Sequence, residues 1–382
     1  MKQFYLSFES SNTTSQRKVR SLGFLKSPGS FSGYAGSRLV TAIVFNVLLI
    51  GPPLLRGEQA DADEKLSEAN FVSVPQAGKV SFHPTAAESR VPERFRQTAH
   101  TFSYETEYER NSGPVRVFKV RFPSPIKTEH DENNTVHGHY FQPQGEGPFP
   151  GVVVLHILGG QFPMSQMIAN SLARKGIAAL FIKLPYYGER RSTKSRMYMV
   201  MTDPKLTAAN MTQGVADIRR AASWLGERPE VDENQLGLTG ISLGGIMSAL
   251  AAPAEPRFQK VAIHLGGGNL ILTMWDQPHY ASRWFRKQWE ERGGTRESLR
   301  EIIKPVDPIT YAHLIKDRTV LMVAAKHDEI VLPESTIALW EKMDKKPKLV
   351  WLDAGHISAL TYLYGEVHRL TLFFQSDKRS ER

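Results

Sequence analysis

Apolar and polar positions along this chain follow two rhythms. Residues 102–109, 115–122 and 135–141 are rich in aromatic and β-branched side chains, and Asn111-Ser112-Gly113-Pro114 punctuates the first pair. Such runs predict strands forming an antiparallel edge of a sheet. From Gly147 the pattern changes to continuous apolar runs at 150–156, 177–182, 235–239, 260–264, 318–325 and 348–352. Unbroken apolar strands suit a sheet covered on both faces. Between them, 164–175 and 206–225 have helical spacing, with Val215, Ile218, Ala222 and Leu225 on one face of the latter. The segment 246–252 reads as a helix stopped by Pro253, and 360–374 as a terminal helix. Strands alternating with helices predict an α/β fold with a mostly parallel sheet and right-handed crossovers.

One stretch breaks this rhythm. Residues 269–317 hold no strand-like run but contain Trp275, Tyr280, Trp284, Phe285 and Trp289 among many charges. An insertion after a strand's C-terminal end rises over the ligand crevice, so a helical cap is expected. The competing reading is a peripheral helical pair whose aromatics pack on the body.

The first hundred residues do not follow either rhythm. A basic, Ser/Gly-rich stretch precedes an apolar run at 39–50, which Gly51-Pro52-Pro53 closes. The run is short for a membrane span and fits a signal-peptide core, with Ala60-Asp61-Ala62 as the cleavage site. The expectation is a targeting segment at 1–62 and export to the periplasm, envelope or medium. An uncleaved anchor, the one route to a membrane here, and a misplaced start codon compete with it. Residues 63–100 read as an irregular extension, and 101–376 as the catalytic-type domain.

Composition narrows the chemistry. The 382 residues are 41% apolar and 23% charged, ordinary for a globular core, with no cysteine. A thiolate nucleophile or zinc–thiolate site is therefore impossible. The net charge is +9, but residues 1–62 carry seven Lys/Arg against three Asp/Glu, leaving +5 on the rest. That balance, without interleaved basic and aromatic runs, gives no nucleic-acid partner. His137 and His139 share a face of one strand; with no third ligand in sight, a half-exposed strand face is preferred over a metal site.

The chemistry centres on Gly240-Ile241-Ser242-Leu243-Gly244-Gly245. It matches G-x-S-x-G and sits between an apolar strand and an Ala-rich helix. A sharp strand-to-helix turn strains the serine and needs small neighbours, which Gly240 and Gly244 supply. The hydroxyl then stands clear at a helix N-terminus, where the Leu243 N–H can donate to an oxyanion. Serine needs a base and an orienting carboxylate. Asp328 and His356 follow the last two strands, giving the order Ser242, Asp328, His356. His264, His279, His313 and His327 are rival bases, and Glu329 and Asp276 rival acids. The second oxyanion donor is assigned to the Leu158 N–H, with Ile157 the rival. His156 is read as structural, holding its loop by a side-chain hydrogen bond. Lys183 to Arg191 should line the crevice, and Met197, Met199 and Met201 either floor an acyl pocket or pack.

Over residues 133–374 the chain resembles the α/β-hydrolases, near bacterial dienelactone hydrolase and acetyl xylan esterase-like members. The resemblance is carried by residues 231–245 and by Asp217-Ile218-Arg219-Arg220 before them. It departs where His156-Ile157 replaces the family's His-Gly, and in an extra residue between Asp328 and Pro333, which keeps Glu329 open. The resemblance implies a serine hydrolase of carboxylic esters, small-molecule or carbohydrate, with no cofactor. A prolyl oligopeptidase-like serine peptidase and a catalytically inactive binding module are the alternatives. Oligomeric state is not legible.

Overall fold

The computed structural model describes residues 75–192 and 197–376. The expected targeting segment at 1–62 and the start of the extension lie outside the described residues.

Four antiparallel strands come first: β1 (Gln76–Phe82), β2 (His100–Asn111), β3 (Val115–Pro123) and β4 (Thr135–Pro143). Then follow β5 (Phe149–Leu155), α1 (Phe162–Ala173), β6 (Ala178–Ile182), α2 (Pro204–Gly226), β7 (Val231–Ile241), α3 (Leu243–Ala254) and β8 (Phe258–His264). After β8 come α4 (Tyr280–Glu290) and α5 (Arg296–Ile303). The chain closes with β9 (Thr319–Ala325), α6 (Pro333–Lys342), β10 (Lys348–Leu352) and α7 (Leu363–Gln375). One sheet holds all ten strands in the order β1-β2-β3-β4-β6-β5-β7-β8-β9-β10. From β6 to β10 every pairing is parallel.

The strand readings from 102 onward hold, with ends moved by a few residues. Pro253 lies within the last turn of α3 and does not end it. The extension is not wholly irregular: β1 pairs with β2 from Gln76↔Thr106 to Phe82↔His100. Only Val80 and Phe82 of β1 are buried. One covered half-face is too little apolar signal to mark a strand. The next turns are anchored by Glu88, 2.7 Å from the buried Arg219 of α2.

Central strands are buried on both faces, as their composition requires. One core lies under α2, α3 and the insertion and includes Val153, Leu238, Met247 and Ile263. The other lies under α1 and α7 and includes Val152, Phe181, Val323 and Phe374. The insertion is helical, and part of its aromatic set packs on the body: Phe285 is buried and Trp275 and Trp289 lie against the first core, while Tyr280 and Trp284 are exposed. Leu299 and Ile303 of α5 are fully buried there too, with α5 against α2. A strongly one-sided helix buries its apolar stripe against the nearest apolar surface, which here is the flank of α2 and α3. Met199 is core packing rather than the floor of a pocket.

Candidate active site

Parallel strands bring their C-terminal ends to one edge, so the loops after β5, β7, β9 and β10 meet there. Ser242 takes the turn from β7 into α3 with φ 56° and ψ −114°, a conformation that strains a residue bearing a Cβ. Its backbone N–H donates to the His264 carbonyl at 2.9 Å, and its carbonyl accepts from Ile246 at 2.9 Å. These bonds hold the strain. Gly240 and Gly244 permit it by close approach. A Cβ on Gly240 would lie 2.5 Å from the Gly244 carbonyl, and one on Gly244 would lie 2.9 Å from the carbonyl oxygens of Leu155 and His156.

The serine hydroxyl Oγ is 2.9 Å from His356 Nε2. On the other side of the ring, His356 Nδ1 is 2.7 Å from Asp328 Oδ2 and 2.9 Å from Oδ1. Asp328 is itself buried and held by the N–H groups of Ile330 at 2.9 Å and Val331 at 2.7 Å. The three side chains named from the sequence are therefore in hydrogen-bond contact, in the order Ser242, His356, Asp328. Both acid oxygens are acceptors, so the ring proton sits on Nδ1 and the Nε2 lone pair faces the serine.

The rivals stand elsewhere. Glu329 does not reach the ring; its Oε2 accepts the backbone N–H of His356 at 3.0 Å. Asp276 pairs with Arg296 at 2.6 Å inside the insertion. His264 is buried 3.5 Å from Glu366 of α7. His279 caps α4 through its Nδ1, and His327 is exposed beside Asp353 at 3.3 Å. His313 lies in a short turn of the insertion.

Leu243 opens α3, so its N–H belongs to the helix's unbonded first turn. Across from it, the loop 156–161 carries Leu158, whose side chain is exposed. His156 anchors this loop. Its Nε2 accepts the Leu184 N–H at 3.0 Å, so its Nδ1 carries the proton and donates to the Ile157 carbonyl at 2.8 Å. Burial holds its pKa down to about 4. The Ile157 carbonyl also accepts from Gly160. Tyr187 packs edge-on to the His156 ring at 4.5 Å.

The loop after β6 is built on buried charge, which the sequence pattern did not signal. Arg190 is fully buried and bonds Asp217 of α2 at 2.8 Å and the carbonyls of Lys183 and Asn133 at 2.9 Å. Lys183 Nζ bonds Glu189 at 2.7 Å and lies over the Phe162 ring. His137 and His139 point to this side of β4. Burial lowers the pKa of each, and His139 stacks on Phe181.

Residues 205–376 match the model of the prolyl oligopeptidase family. An uncharacterized protein of Mycobacterium tuberculosis is 30% identical over 145 residues, which is 38% of this chain and 33% of that protein. The chain thus spans about a third of the length of the curated relatives it matches. Among solved structures, acetyl xylan esterase 1 from Thermoanaerobacterium sp. JW/SL YS485 aligns with TM-score 0.57 at 18% identity, over 76% of this chain and 92% of that one. Acetyl xylan esterase from Paenibacillus sp. R4 aligns with TM-score 0.56 at 17% identity, over 76% and 99%. With the match over residues 205–376, the sheet order and the serine turn at the end of β7 all agreeing, the chain has the α/β-hydrolase fold.

Proposed function

We propose that the chain is a serine hydrolase of carboxylic esters working through an acyl-serine intermediate. The observation that carries this reading is the relay from Ser242 Oγ to His356 Nε2 at 2.9 Å and from His356 Nδ1 to Asp328 at 2.7 Å, at a strained turn. Ser242 Oγ attacks the ester carbonyl carbon while its proton passes to His356 Nε2. The carbonyl oxygen becomes an oxyanion that the N–H groups of Leu243 and Leu158 receive. As the intermediate collapses, the alcohol leaves with the proton from His356. Water, deprotonated by the same nitrogen, then releases the acid and restores Ser242. Asp328 holds the ring in the required tautomer and balances the imidazolium charge.

The names of the solved neighbours, both acetyl xylan esterases, favour an ester, with a carbohydrate or small alcohol as leaving group. A second reading has an observation of its own: the prolyl oligopeptidase family match favours a serine peptidase. Fluorophosphonate labelling followed by parallel panels of short acyl esters and proline-containing peptides separates them. The expected result is label on Ser242, ester turnover, and loss of both in Ser242→Ala by about 10⁴-fold or more. Unchanged turnover in that variant refutes the mechanism. Peptide cleavage without ester cleavage selects the second reading.

A further inference from the structure

The loop bearing His356 leaves the sheet in a defined way. The last ladder pair of β9 and β10 is Ala325 with Leu352. Beyond it the two loops stay laced together: Lys326 N–H donates to Leu352 at 2.9 Å, and His327 N–H donates to Ala354 at 3.0 Å. Main-chain lacing ends there. The next backbone donor, Gly355 N–H, turns inward to the Ser358 hydroxyl at 2.9 Å. At His356 itself the partner is a side chain of the facing loop, the Glu329 carboxylate at 3.0 Å.

Adjacent residues therefore hold one histidine at both ends. Asp328 fixes the ring through Nδ1, and Glu329 fixes the backbone from which that ring hangs. A ring bond alone leaves the Cα free to swing about it; the second point removes that freedom. Gly355 belongs to the same arrangement. A Cβ there would lie 2.7 Å from Glu329 Oε2 and 3.2 Å from the His327 carbonyl, so the glycine before the histidine makes room for the carboxylate.

We propose that Glu329 is a positioning residue for His356, acting as the hydrogen-bond acceptor that continues the β9–β10 lacing to the base. The proposal rests on the serine-hydrolase reading for its kinetic consequence but not for its structural one. A hydrogen bond, not the charge, is the active element, so glutamine should serve in place of glutamate. In Glu329→Ala, kcat on an activated short-chain ester falls about 10- to 30-fold while KM stays within about threefold, because only the presentation of the base has changed. In Glu329→Gln, kcat returns to within about threefold of wild type, since the amide oxygen accepts the same N–H.

A second measurement needs no turnover. Native-state exchange of the His356 backbone amide should be at least about tenfold faster in Glu329→Ala than in wild type or Glu329→Gln, with the melting temperature little altered. Equal exchange in wild type and the alanine variant overturns the proposal, as does a glutamine variant as impaired as alanine. If wild type neither turns over esters nor labels at Ser242, the catalytic reading fails while the exchange result still decides the tether.

Discussion

Replacing Asp328 by asparagine tests the relay most sharply, because the surrounding donors dictate how the new amide must sit. Oδ1 of Asp328 accepts the N–H groups of Ile330 and Val331 at 2.9 and 2.7 Å. In Asp328→Asn the amide oxygen must take that place, since an NH₂ group there would face two donors. The NH₂ then falls where Oδ2 now stands, 2.7 Å from His356 Nδ1. A donor facing Nδ1 drives the ring proton to Nε2. That nitrogen then presents a hydrogen to Ser242 Oγ, and the base is lost. The imidazolium also loses its counter-charge. Together these lower kcat by about 10³- to 10⁴-fold, or about 4–5.5 kcal/mol of transition-state stabilisation. Melting temperature should change little, because the loop bonds to Ile330 and Val331 survive. The assay is steady-state turnover of one activated ester by Asp328→Asn beside Glu329→Gln. A glutamine variant dead beside an active asparagine variant would make Glu329 the acid. Both remaining active would refute the relay altogether.

Two further outcomes are expected. Gly244→Ala forces a Cβ to 2.9 Å from two backbone oxygens that cannot move aside, so chemical denaturation should show a loss of about 2–3 kcal/mol; Gly365→Ala in α7 meets nothing within 4 Å and should be neutral or slightly stabilising. His156, with its pKa lowered to about 4 by burial, binds its proton more readily unfolded than folded between about pH 4 and 6.5. Stability from this group is complete above about pH 6.5 and falls by about 3 kcal/mol on going down to pH 4. The difference in unfolding free energy between wild type and His156→Asn should shrink by that amount over this range, and a pH-independent difference would contradict the neutral, buried ring.

What the sequence determined by itself was local. The alternation of apolar strands and helices, the glycine-flanked serine at a strand end, and the order of serine, acid and histidine all follow from periodicity and from residues that a tight turn tolerates. His156 was legible as a structural residue for the same reason: it ends a buried strand, where an imidazole needs partners. Asp328 was preferred as the acid, with Glu329 its rival because both leave the same strand tip. Which carboxylate meets the ring depends on where the next strand's loop passes, and that loop takes Asp328 on its ring and Glu329 on its backbone. The strand β1 was hidden for a related reason, its pairing being main-chain and only half of one face being covered. Tertiary packing alone decided that Trp275, Phe285 and Trp289 of the insertion lie in or against the first core while Tyr280 and Trp284 stay exposed, since a one-sided apolar helix does not name the surface it covers. It alone also brought Arg190 to Asp217 in the interior. A buried charge is tolerable only beside a partner distant in sequence, and no local pattern encodes that partner.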